Sequence, residues 1–143
     1  MKPELADREP IAFHELGHLA AFRYFGYKVD MVEVGDDYGC TQLATPQTIE
    51  ALHYIIALCS GKAAVDRWYG WKTPTDDNWL KSQDQRRAFR AALQLSSNDP
   101  VCARMLMKWA EKRADILIAD QWQRIKDTAL TLLERGKLGS GMT

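Results

Sequence analysis

From Pro10 to about Phe25 the chain is apolar on nearly every side, and Arg23 is the main exception outside one short polar cluster. Pro10 suits the first turn of a helix, where a missing N–H costs nothing, and Gly26 follows as a stop. A helix hydrophobic all round belongs in the interior. Lys28 to Val34 is rich in β-branched residues and reads as a strand ended by Gly35-Asp36-Asp37. A second extended run, Cys40 to Ala44, is stopped by Thr45-Pro46, so the two predict a small sheet or hairpin.

Thr45-Pro46 has the form of an N-cap with proline at the first helical position, which predicts a helix to about Tyr69. Its inward residues would include Ile49, Leu52, Ile56, Cys59, Ala63 and Trp68. Gly61 inside that helix costs about 1 kcal/mol relative to alanine, and close approach by the Pro10–Phe25 helix would explain it. His53 reads as a satisfied histidine near the core. After a loop from Gly70 to Asn78, Asp76-Asp77-Asn78 offers a cap for a helix from about Trp79 to Leu95. Its stripe of Leu80, Asp84, Ala88, Ala91 and Leu95 is apolar except for Asp84, while Arg86, Arg87 and Arg90 form a solvated face. Asp99-Pro100 starts a helical stretch to about Arg135, ended by Gly136, as two helices or one bent near Asp120. Leu106, Trp109, Leu117, Trp122, Ile125 and Leu132 lie on its inward stripe, the aromatic residues as core packing. Gly139 to Thr143 is expected to fray.

Composition narrows the class without changing the architecture. One domain over residues 1–143 is expected, mainly α with a small β-sheet, and 46% hydrophobic with 27% charged residues suits a globular protein. A formal net charge of zero argues against a nucleic-acid partner. Cys40, Cys59 and Cys102 are odd in number, far apart and form no C-x-x-C pair, which fits a reducing compartment. There is no apolar run of about 20 residues to span a membrane and no signal-peptide core, so a cytoplasmic protein with no membrane partner is expected.

The polar cluster in the first helix carries the chemistry. His14, Glu15 and His18 spell H-E-x-x-H. On a helix, residues four apart lie about 40° apart around the axis, so the two imidazoles stand side by side and can hold one Zn²⁺. Glu15 can then reach a water on the metal as general base. A catalytic zinc normally takes a third protein ligand and leaves a fourth position for water. The extended metzincin motif would need glycine and histidine where Ala21 and Tyr24 stand, so that class is excluded. Glu33 lies in the strand-like run, not on a helix. Asp84 is the leading candidate, because a carboxylate on an apolar stripe needs a positive partner and zinc would supply it; Asp77 is the fallback.

The chain also resembles the peptidase domain of the membrane-bound AAA+ zinc proteases of the FtsH type. Their H-E-A-G-H helix is matched by His14-Glu15-Leu16-Gly17-His18-Leu19-Ala20-Ala21. Their G-R-A-A-E segment is matched by Gly61-Lys62-Ala63-Ala64-Val65, and the N-D-L-E-R-A segment that bears their third ligand by Ser82 to Ala88. A closing amphipathic helix resembles Trp122 to Leu138. The resemblance implies a zincin-like metallopeptidase with Zn²⁺ on His14, His18 and Asp84. It also implies an edge run, Gly39-Cys40-Thr41-Gln42-Leu43, near the cleft, where an extended peptide could add as a strand. No ATPase module or membrane anchor accompanies these motifs, so peptides or unfolded segments are the expected substrates. A ring-forming homo-oligomer or a separate ATPase partner is compatible with the resemblance. The competing function class is a zinc-stabilised binding module without proteolysis, which would have no need of Glu15 beside the metal.

Overall fold

The apolar amino-terminal segment forms helix α1 (Leu5–Tyr24), with Ala12, Phe13, Leu16, Leu19, Ala20 and Ala21 all buried. The structure, a computed structural model, describes residues 5–70 and 82–142. The helix begins before Pro10, which therefore sits inside α1 and not in its first turn. Tertiary bonds support this added length: Arg8 Nη2 donates to the Val34 carbonyl at 3.0 Å, and Trp68 Nε1 donates to Glu9 Oε2 at 3.1 Å.

Strand β1 (Val29–Val34) pairs antiparallel with β2 (Gly39–Leu43), the expected hairpin. Val32 and Val34 face inward in simple alternation; a register shift between Val29 and Met31 lets Val29 face inward too. A third strand, β3 (Lys137–Gly139), pairs with the other side of β1, giving the order β2-β1-β3. As far as Met142 the carboxy-terminal tail is thus in regular structure and not frayed as expected. Gly136 turns the chain with φ of 77°, Leu138 is buried opposite Val32, and Ser140–Met142 forms a short 3₁₀ turn.

Helix α2 runs from Ala51 to Tyr69, with Glu50 at its N-cap position. The expected start at Thr45-Pro46 is incorrect, because the Gln47 side chain ties this segment to the sheet. Gln47 Oε1 accepts from the Lys28 N–H, and its Nε2 donates to the carbonyls of Lys28 and Ala44. Helix α3 (Gln83–Leu95) is capped by Ser82, whose Oγ accepts from the Gln85 N–H, so it starts later than expected. Trp79, Leu80 and the proposed Asp76–Asn78 cap lie outside the described residues. Asp99 caps α4 (Pro100–Asp120) as expected, and the chain breaks at Gln121 before α5 (Trp122–Arg135). The described chain is mainly helical, with a small three-stranded antiparallel sheet.

The buried apolar residues of α1, α2, α4, α5 and the sheet join in one cluster. Phe13 stacks on Trp68 at 4.5 Å and lies 5.6 Å from Trp122, linking α1 to α2 and α5. Three placements differ from expectation: Trp68 is 39% exposed, Trp109 45% and Leu95 49%. His53 is satisfied as expected, stacked on Phe25 at 4.0 Å with its Nδ1 2.7 Å from the Tyr27 hydroxyl.

A pair of glycines lets α1 and α2 approach closely. A Cβ on Gly17 of α1 would lie 2.2 Å from the Ser60 carbonyl oxygen of α2. A Cβ on Gly61 would lie 2.7 Å from His18 Cε1 and 2.8 Å from His14 Cε1. The absence of both side chains lets α2 lie against the histidine face of α1, the use of Gly61 expected from its cost inside a helix.

Candidate metal centre

Helical spacing puts His14 and His18 on one face of α1, with ring centroids 4.6 Å apart and planes nearly perpendicular. Asp84, in the first turn of α3, reaches across to both. Its Oδ2 lies 2.9 Å from His14 Nε2 and 3.1 Å from His18 Nε2, and the two Nε2 atoms are 3.0 Å apart. Three ligand-type atoms from two helices thus form a nearly equilateral triangle. Around a tetrahedral zinc with bonds of about 2.0–2.1 Å, neighbouring ligand atoms stand about 3.3 Å apart, so the triangle is only a few tenths of an ångström too tight. Two imidazoles and one carboxylate are also a donor set suited to zinc and unlike the all-oxygen shells of calcium or magnesium.

The proton inventory sharpens this. His18 Nδ1 lies 2.7 Å from the Ala57 carbonyl, an acceptor, so this nitrogen carries the proton and donates. In neutral His18, Nε2 then points its lone pair into the triangle, toward the carboxylate Oδ2 that can only accept. The Ala57 bond is the outer-shell support that metal-binding histidines require. A cation at the centre satisfies all three atoms together; without one, protons must stand in. Burial works to lower the pKa of His18, but the adjacent Asp84 carboxylate overrides it and raises the imidazole above its ordinary 6.5. Burial likewise works to raise the Asp84 carboxyl, and the hydrogen bonds from His14 and His18 override it, holding the group well below the usual carboxylate range.

Glu15 is buried beside the imidazoles, and a carboxylate oxygen, His14 and His18 together form a group of ligand atoms within 4.8 Å of one another. Thr41 of β2 fixes its position: Oγ1 stands 2.8 Å from Glu15 Oε1 and 3.1 Å from the Glu15 carbonyl. Strand β2 comes this close because residue 39 is glycine. A Cβ there would fall 2.6 Å from Glu15 Cγ and 2.7 Å from Ile11 Cγ2. Of the expected peptide-binding run, Cys40 and Gln42 are exposed, Gly39, Thr41 and Leu43 are half-buried, and β2 is an edge of the sheet.

The site opens on the His14 side, whose side chain is 36% exposed against 9% for His18. From there a cleft of about 400 Å³ runs between α2, α3 and α4, lined by Leu58, Lys62, Ala88, Met107 and Glu111 among others. Cys59 also lines it, and burial pushes its thiol well up, so it stays protonated at neutral pH. Glu33 is elsewhere, accepting from the Tyr38 hydroxyl on the hairpin. Asp77 lies outside the described residues. Sequence reasoning did not identify the Ala57 carbonyl or the role of Gly17. A backbone carbonyl leaves no mark in sequence, but a small residue at the fourth motif position, Gly17, facing a second helical glycine is a readable signal.

Neither the family models nor the curated proteins compared with this chain match it. The functional reading therefore rests on the site.

Proposed function

We propose that this chain is a zinc-dependent peptidase with a zincin-like domain of the FtsH-peptidase type. The observation that carries the reading is the convergence of His14 Nε2, His18 Nε2 and Asp84 Oδ2 at 2.9–3.1 Å, with the Glu15 carboxylate beside them. Its motif supplies both a metal-binding pair and a base; a purely structural site would need only the former.

A bound Zn²⁺ would supply a water acidified toward neutral pH and a Lewis acid for the scissile carbonyl. His14 and His18 would hold it from α1 and Asp84 from α3, with the Ala57 carbonyl orienting His18 and Gly61 leaving room for both rings. Glu15 would take a proton from water and return it to the leaving amine, while Thr41 keeps the carboxylate in place. A peptide in extended form would add its backbone to the open edge of β2, and main-chain bonding of that kind tolerates many sequences. Peptides and unfolded segments are therefore the substrate class. The free thiols of Cys40, Cys59 and Cys102 fit work in a reducing compartment.

Metal analysis of the purified chain tests the ligand set. The reading expects about one zinc per chain, and much weaker binding in Asp84→Ala. Zinc bound equally well by that variant would remove Asp84 from the site.

A further inference from the structure

Helix α4 is apolar on two faces, and the fold uses only one. Ala103, Met107, Ala110, Ala114, Leu117 and Ile118 are buried against the body of the protein. On the opposite side Val101 is 63% exposed, Met105 67%, Trp109 45% and Ile116 58%. Advancing 100° per residue, these four fall within an arc of roughly 80°, so they form one stripe along the helix. They are four of the ten large hydrophobic side chains exposed among the described residues, too concentrated to count as scattered surface apolar residues. A hollow lined by Tyr24, Phe25, Ile56 and Arg113 continues the patch beyond Ile116.

Charge identifies the occupant. Arg104 and Lys108 border the stripe on one side and Arg113 on the other, with Lys112 inside it, and all four are exposed. Exposed Asp120 lies at the helix end beside Arg113, and Glu111 and Asp115, on the Arg104–Lys108 flank, are half-buried, so the four cations outnumber the exposed carboxylates of the helix. A protein of zero net charge has therefore gathered cations around an uncovered apolar face. A second copy would bury Lys112, which lies inside the stripe, against apolar side chains, whereas a lipid interface lets its stem reach the headgroups. The pattern is that of a helix lying in a membrane interface: apolar side chains among the acyl chains, Trp at headgroup level, and Lys and Arg stems reaching outward to anionic groups.

We infer that the outward face of α4 docks this protein on an anionic lipid surface. The contact is peripheral, since no helix among the described residues is long and apolar enough to cross a membrane. It is independent of the metal-centre reading and replaces the expectation of no membrane partner.

The test is flotation of the full chain with phosphatidylcholine vesicles containing about one-third phosphatidylserine, and with pure phosphatidylcholine vesicles. The protein should float with the anionic vesicles, weakly or not at all with the neutral ones, and lose binding at high salt. Met105→Glu/Ile116→Glu should weaken binding at least about ten-fold, and Arg104→Gln/Lys112→Gln should do the same with the apolar stripe intact. All four side chains are exposed, so both variants should melt like the parent. Failure to float at low salt overturns the proposal, as does binding that neither variant changes. A dimer by light scattering that the Glu variant dissolves, with no vesicle binding, would assign the face to a second copy. Capture of an acidic protein in place of vesicles would assign it to a protein partner.

Discussion

Gly61→Ala puts the smallest possible side chain where α2 meets the two histidines, and the structure sets the size of its effect. The new Cβ would stand 2.7 Å from His18 Cε1 and 2.8 Å from His14 Cε1, whereas ordinary contact begins at 3.4 Å. The His18 ring must therefore retreat by about 0.7 Å, the difference between 2.7 and 3.4 Å. Zinc–ligand bonds vary by only about 0.2 Å, so the rings cannot absorb that shift and still bind. Gly17 packs against the Ser60 carbonyl one residue away, so the helices have no slack to share it. For stability the effects oppose: alanine gains about 1 kcal/mol of helix propensity, and overpacking costs about 1–3 kcal/mol. Net destabilisation should be below about 2 kcal/mol, while zinc affinity falls at least about ten-fold. Competition with a chromophoric chelator measures the affinity, and thermal melting of the metal-free protein measures the fold. Parental zinc affinity in a folded Gly61→Ala would refute the claim that this glycine makes room for a metal centre.

Further predictions follow from the same geometry. Gly17→Ala meets a backbone oxygen at 2.2 Å, so α1 and α2 must part; a loss of about 3 kcal/mol or more, roughly 10 °C in melting temperature, is expected in calorimetry. Thr41→Val should leave zinc content unchanged and lower the turnover of peptide cleavage about five- to ten-fold, the worth of one hydrogen bond, with Thr41→Ser restoring it; a change confined to zinc content would contradict the role. In the metal-free protein the raised pKa of His18 contributes stability present below about pH 6.5 and lost as pH rises through the folded value, whereas the depressed pKa of Asp84 contributes above the ordinary carboxylate range and fails only in strong acid. Zinc replaces those protons, so its gain in melting temperature should be larger at about pH 8 than at about pH 6; the opposite trend would contradict the proton inventory.

The centre of the fold was legible where the signal is local. H-E-x-x-H needs only helical spacing, and Asp84 stood out as the charged member of an apolar stripe; both rest on a period of 3.6 residues. Gly61 was legible because a glycine inside a helix demands a reason, which the histidine rings supply. What escaped depends on distant partners. The start of α2 is set by Gln47 bonding to Lys28, and β3 exists because β1, far back in the chain, offers a strand edge. Trp109 was misplaced because periodicity marks apolar faces without saying which one is covered, and α4 has two.

Cleavage of an unfolded protein substrate by the zinc-loaded chain, beside Glu15→Gln loaded to the same zinc content, tests the central claim most directly. The account predicts cleavage by the parent and a loss of about 10²–10⁴-fold in the variant, the share of a general base. No cleavage by the fully loaded parent, or equal cleavage by both proteins, would contradict it.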